Sequence, residues 1–87
     1  MAPKHPIVTP EDLGHWVRAV RKLQRLRQDE VARISHSFMG ELEKGKPTAQ
    51  IGKVFQVLRE LGIRLHLELP AGIEPQTAPR QRQARTK

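Results

Sequence analysis

The sequence contains no cysteine, so neither a disulfide framework nor a thiolate metal site can be built from it. It has no apolar run that approaches the length needed to span a membrane. The opening Met1-Ala2-Pro3-Lys4-His5-Pro6 lacks the apolar stretch of a secretory signal, and a cytoplasmic location is expected. The four histidines, His5, His15, His36 and His66, form no i,i+4 pair and no cluster, so no metal site and no cofactor are expected. Acidic residues are also in short supply. Nine Asp+Glu stand against sixteen Lys+Arg, a formal net charge of +7. With 87 residues there is room for one hydrophobic core, not two. A self-contained enzyme is not expected. A basic binding module is, and its natural partners are nucleic acid or acidic protein surfaces.

The charge is unevenly placed. Residues 1–69 hold twelve Lys+Arg and eight Asp+Glu, whereas residues 70–87 hold four and one. The second segment also holds three of the seven prolines and almost no large apolar residues. It cannot bury enough surface to offset the entropy of ordering, so residues 70–87 read as a disordered basic tail. Within residues 9–69, Arg18, Arg21, Lys22, Arg25 and Arg27 crowd one stretch. By itself such a run is a solvated helix face. It becomes a phosphate-facing surface only if a motif supports it.

Residues 1–8 read as a short arm. Thr9-Pro10-Glu11-Asp12 has the chemistry of a helix start: a capping hydroxyl, a proline suited to the first turn and two carboxylates at the positive end. Leu13, Trp16, Val17, Val20, Leu23 and Leu26 recur at helical spacing, predicting a first helix from about Pro10 to about Gln24. Trp16 is read as core. Gln28–Ile34 predicts a second, short helix. Ser35 is placed to cap a third, His36 to Glu43, with Phe38, Met39 and Leu42 inward and Gly45 as its stop. Thr48 is expected to cap a fourth helix bearing the apolar stripe Ile51, Val54, Phe55, Val57, Leu58 and Leu61, stopped by Gly62. Glu41 and Glu43 are read as salt-bridging or capping groups, since no nucleophile, phosphate loop or ligand cluster accompanies them.

The period then changes from helical to strict alternation over Ile63-Arg64-Leu65-His66-Leu67-Glu68-Leu69, which is strand chemistry. A single strand has no partner in its own molecule, and unpaired it is unstable. Pairing with the same strand of a second copy across a two-fold axis solves this. Ile63, Leu65, Leu67 and Leu69 would form the dimerisation face. Arg64, His66 and Glu68 would point outward.

Amphipathic helices around a short turn, with a basic surface, suggest a helix-turn-helix. The stretch Gln28-Asp29-Glu30-Val31-Ala32, followed by Ser35-His36-Ser37-Phe38-Met39-Gly40-Glu41-Leu42-Glu43-Lys44-Gly45, resembles that of the Cro/C1-type (XRE) family. Gly45-Lys46-Pro47-Thr48-Ala49-Gln50-Ile51-Gly52-Lys53-Val54, Val57-Leu58, Leu61-Gly62 and the alternating strand resemble, more narrowly, the HipB-like antitoxins. The resemblance covers residues 9–69. It implies an all-α, lambda-repressor-like bundle that homodimerises partly through a two-stranded intermolecular sheet. It also implies an autorepressor that binds a palindromic operator in double-stranded DNA, and an antitoxin that restrains a HipA-like serine/threonine kinase toxin. Carried onto this chain, it implies that Gln28 anchors the start of the second helix to a phosphate and that Ser35, His36 and Ser37 form the base-reading turn. Gly40 and Glu41 then lie where later recognition-helix contacts occur, and Lys44, Lys46 and Thr48 in the loop that grips the DNA backbone.

One departure bears on this reading. From Ala32 to Ser35 is a step of three with no glycine, close to one helical turn shorter than the family pattern. Either the second helix ends a turn early, or it slips to begin near Gln24 and puts Arg33 at the glycine position. The slip would push Gln28 and Asp29 toward the core, so the shortened helix is preferred. Two other functions are consistent with the residues: a toxin-binding module with only non-specific DNA affinity, and a generic Cro/C1-type regulator with no toxin partner. Arg80, Arg82, Arg85 and Lys87 of the tail would add non-specific attraction to DNA.

Overall fold

A computed structural model describes residues 4–31 and 33–73 of the chain. Of the tail read as disordered, residues 70–87, only 70–73 are described; 74–87 lie outside that range. The first helix, α1, spans Pro10–Leu23. Thr9 Oγ1 accepts from the Asp12 backbone N–H at 3.1 Å, while Asp12 Oδ2 accepts from Thr9 N–H at 3.1 Å and Val8 N–H at 2.9 Å. This reciprocal cap satisfies donors that the helix start leaves orphaned. The two backbone hydrogen bonds hold the Asp12 carboxyl below its ordinary pKa.

The inward face of α1 is Gly14, Val17 and Arg21, rotated from the stripe that hydropathy suggests. Leu13 and Val20 are half-buried, and Leu23 is 83% exposed. Trp16 is only half-buried: His5 of the arm stacks on it at 4.3 Å between ring centroids, and His15 meets it edge-on at 5.4 Å.

The expected second helix is a single 3₁₀ turn, Gln28–Glu30. Glu30 Oε1 accepts from Arg27 N–H at 2.6 Å, and Ile34 N–H reaches Val31 O at 2.8 Å. The physical reason is length. Three fewer residues cannot complete a helical turn and still return the chain to Ser35. Val31 and Ile34 are buried nonetheless. The element begins at Gln28 and not near Gln24, so the shortened form holds and the slip does not, although Arg33 does sit left-handed at φ +58°.

Helix α2 spans His36–Glu43 and is capped by Ser35, whose Oγ accepts from Phe38 N–H at 3.1 Å. Met39 and Leu42 are buried, and Phe38 is half-buried against the core. Gly45 follows at φ +88°. A Cβ on it would lie 2.7 Å from Glu11 Cα, so only glycine lets the chain turn there against α1.

Helix α3 spans Ile51–Leu61. It starts two residues later than the sequence suggested. Gln50, not Thr48, is its N-cap, with no side-chain cap bond; Thr48 lies instead inside a turn closed by Ala49 N–H to Lys46 O at 3.3 Å. Val54, Val57, Leu58 and Leu61 join Val17, Val31, Ile34, Met39 and Leu42 in one core. Ile51 and Phe55 stay outside it, at 67% and 48% exposure. Gln24 Nε2 donates to Leu61 O at 2.8 Å and ties the ends of α1 and α3 together.

Residues 63–69 form no helix, and they have no ladder partner among the described residues. The expected strand is therefore not seen here. Leu65, Leu67 and Leu69 are 53%, 85% and 46% exposed. No helix among the described residues is long and apolar enough to cross a membrane.

Candidate nucleic-acid interface

The position of α2 is set by contacts at its C-terminal end. Gly14 of α1 lies so close that a Cβ there would stand 2.4 Å from Leu42 O and 2.7 Å from Glu43 O. Arg21 Nε donates to Glu43 Oε2 at 2.5 Å, Arg21 Nη2 to Glu43 Oε1 at 3.0 Å and Arg21 Nη1 to Leu26 O at 2.8 Å. This bidentate pair leaves the Arg21 and Glu43 side chains only 10% and 3% exposed. The hydrogen bond to Glu43, aided by that residue's charge, raises the Arg21 pKa further above its ordinary value, against desolvation. One guanidinium thus joins α1, the chain entering the 3₁₀ turn and the end of α2.

The N-terminal turn of α2 is consequently held out from the bundle. Ser35, His36 and Ser37 are all exposed. The Ser35 hydroxyl oxygen is occupied as the cap acceptor, which leaves its proton to donate. Ser37, Glu41 and Lys44 follow at i, i+4 and i+7 along one exposed row of the helix. Glu41 pairs with Lys46 at 3.0 Å, which ties the following loop back to α2. Lys44, Lys46 and Thr48 are exposed.

Gln28 is placed differently. It is half-buried, and its Nε2 donates to Glu43 Oε1 at 3.1 Å. Gly40 lies beside it: a Cβ on Gly40 would be 3.9 Å from Gln28 Nε2. Arg21, Arg27, Gln28, Asp29 and His36 line a shallow hollow at the start of α2. The structure therefore gathers Gln28, His36 and Gly40 on one side of the helix and joins Glu41 to Lys46 on another. Arg27 is held by Asp29 at 3.2 Å and by Glu30 at 3.7 Å.

Sequence reading missed Gly14 and Arg21 as determinants of this arrangement. Their signal was present, since 14, 17 and 21 fall on one helical face. It was hidden because one residue has no side chain and the other is charged. The salt-bridging reading of Glu41 and Glu43 matches the two ion pairs. No group of three or more His, Asp or Glu that could hold a metal ion occurs among the described residues.

No protein-family model matches the chain. An uncharacterised HTH-type transcriptional regulator, y4mF, of Sinorhizobium fredii (strain NBRC 101917 / NGR234) is 55% identical over 67 residues, covering 74% of this chain and 88% of that protein. The chain belongs to the HTH-type transcriptional regulators. The fold of this regulator matches solved HipB structures. A HipB–O4 20mer complex aligns with a TM-score of 0.68 at 21% identity over 78% of this chain and 99% of that one. A HipA–HipB–O2–O3 complex aligns with a TM-score of 0.68 at 21% identity over 74% and 94%. The architecture is thus an all-α helix-turn-helix domain that resembles HipB in fold.

Proposed function

We propose that this HTH-type regulator is a homodimeric, sequence-specific autorepressor that binds a palindromic operator. We also propose that it serves as antitoxin to a HipA-like serine/threonine kinase toxin. The observation that carries the DNA reading is the exposed first turn of α2, Ser35-His36-Ser37, on a helix whose other end is locked by Arg21, Glu43 and Gly14. Small polar groups there approach base edges, with each good contact worth about 1–3 kcal/mol of discrimination. His36, Ser35 and Ser37 read bases, and Gly40 and Glu41 flank later contacts. Lys44, Lys46 and Thr48 hold phosphates. Gln28 turns from Glu43 toward a phosphate on docking.

Dimerisation is supported by a continuous apolar surface. Phe55, Leu58, Ile63 and Leu65 line a groove between α3 and the segment after it, rimmed by Arg59 and Arg64. Leu67 and Leu69 of the same segment are also exposed. In the dimer, residues 63–69 pair antiparallel with their copies, and the two α2 helices enter successive major grooves about 34 Å apart. The toxin partnership is favoured by the fold likeness to HipB, one of whose structures is a complex with HipA.

The test is fluorescence anisotropy on the protein's own upstream DNA and on a scrambled duplex across a salt series. Tighter binding to the native duplex at every salt concentration is expected. Equal binding to both, fading steeply with salt, would overturn operator reading and leave phosphate affinity alone. A pull-down with the product of a neighbouring kinase-like gene tests the antitoxin role, and no association would refute it.

A further inference from the structure

Two residues other than glycine have left-handed backbone among those described, and both are arginines: Arg25 at φ +60° and Arg33 at φ +58°. They bracket the shortened connection. Each of the three helices ends in the same motif, a left-handed residue preceding a long backbone bond. Leu26 N–H reaches Arg21 O at 3.1 Å, Lys46 N–H reaches Glu41 O at 3.0 Å, and Ile63 N–H reaches Leu58 O at 2.9 Å. The left-handed residue is Gly45 after α2 and Gly62 after α3, but Arg25 after α1. A Cβ is disfavoured in that conformation, so glycine is the ordinary solution. Arg33 occupies a comparable position in the reversal closed by Val31 and Ile34.

Neither arginine recovers this cost within the fold. Both are exposed, and among the described residues neither side chain makes an ion pair or hydrogen bond, whereas Arg21, Arg27 and Lys46 do. Arg25 is also the last of a row. Arg18, Lys22 and Arg25 follow at i, i+4 and i+7 along exposed positions of α1 and its C-terminal extension. Like charges at that spacing repel. Fold stability alone favours glycine at 25 and 33. Strain retained at such positions points to a ligand, and the two positive charges make that ligand an anion.

We propose that Arg25 and Arg33 grip backbone phosphates of bound DNA, one on each side of the 3₁₀ turn, with Arg33 two residues ahead of the Ser35 cap. The proposal rests on the DNA-binding reading above. It gives the shortened connection a role: where the backbone is a turn too short to present a helix to the DNA backbone, two forced arginines present charge instead.

The experiment uses full-length Arg25→Gly, Arg33→Gly and double variants, with Arg→Lys at each position. Thermal unfolding and the anisotropy salt series on both duplexes are measured. The glycine variants are expected to melt a few degrees higher than the parent. Their log Kd against log salt slope is expected to be shallower by about 0.9 for each residue changed, with affinity lost equally on native and scrambled DNA. Lysine is expected to restore the slope. Glycine variants with parental Kd and slope would overturn the proposal, as would glycine variants that melt lower, which would make the side chains parts of the fold. If the parent protein binds neither duplex, the DNA-binding reading fails with it. If the parent binds and the variants are unaffected, only the proposal fails.

Discussion

Arg21 and Glu43 form a bidentate pair, Nε to Oε2 at 2.5 Å and Nη2 to Oε1 at 3.0 Å, between the interior of α1 and the last residue of α2. Glu43 also accepts from Gln28, so a single carboxylate is shared by α1 and the turn that precedes α2. Removing one partner strands the other charge in a nearly dry site. Glu43→Gln is expected to destabilise the protein by about 3–5 kcal/mol in urea unfolding. Replacing both, Arg21→Met with Glu43→Leu, is expected to recover much of that loss, because no buried charge is left unmatched. An equal loss in the double variant would show that the pair is worth more than its packing.

Gly14 and Gly52 give a contrast at two helical glycines. Alanine is preferred over glycine in a helix interior by about 1 kcal/mol. At Gly52 nothing lies within 4 Å of the added Cβ, so Gly52→Ala is expected to raise stability by up to that amount. At Gly14 the Cβ would overlap Leu42 O and Glu43 O, both backbone atoms that cannot swing aside. Gly14→Ala is therefore expected to cost about 1–3 kcal/mol despite its propensity. Denaturant midpoints of the two variants, moving in opposite directions, check this.

The cap at the start of α1 predicts a pH dependence. The Asp12 pKa is lowered in the folded state by the Val8 and Thr9 amides. A depressed folded value means that the unfolded state takes up the proton first as the pH falls. The stabilisation is complete above the unfolded value, near 3.8, and is lost as the pH falls through the lower folded value. Asp12→Asn is expected to flatten the acid limb of a stability–pH curve and to leave its neutral region little changed in slope. Urea midpoints from pH 2 to 6, on the order of the carboxylate range, test it.

The two sides of α2 predict different losses in DNA binding. His36 is exposed beside the hollow at the start of the helix, whereas Lys46 is tied to Glu41 in the loop beyond its end. His36→Ala is expected to narrow the affinity gap between native and scrambled duplex by about 1–3 kcal/mol. Lys46→Ala is expected to weaken both duplexes alike and to lower the salt slope by about 0.9. Competition binding with both duplexes separates these outcomes. Equal loss of specificity from the two variants would contradict the division of roles.

Leu67 is 85% exposed in the single chain. Pairing of residues 63–69 with their copies would require its strand to stay regular. Leu67→Pro is expected to shift the protein from dimer to monomer in light scattering, since proline removes a ladder donor. A variant that stays dimeric with unchanged stability would refute the intermolecular sheet.

Local chemistry was readable from the chain wherever one residue acts alone or through near neighbours. Thr9 with Asp12, Ser35 with Phe38, Gly45 and Gly62 are such cases, and α1 and α2 start and stop close to where these signals lie. The start of α3 was not, because Thr48 lies inside a turn from Lys46 to Ala49. Three-residue loss between Ala32 and Ser35 was visible in the sequence, and so were its two possible accommodations. The outcome, a 3₁₀ turn beginning at Gln28 with Arg33 left-handed, came from closing the chain between two packed helices. Nor could periodicity find the inward face of α1, because Gly14 carries no side chain and Arg21 is charged. What put them inside was the backbone of Leu42 and Glu43 on one side and the Glu43 carboxylate on the other. The sequence by itself determined the ends of α1 and α2, the stop of α3, the basic surface and the apolar content of the core. Only the tertiary structure decided which of those apolar residues are buried and how α2 is held, because both depend on contacts between residues some twenty to thirty positions apart, such as Arg21 with Glu43 and Gly14 with Leu42.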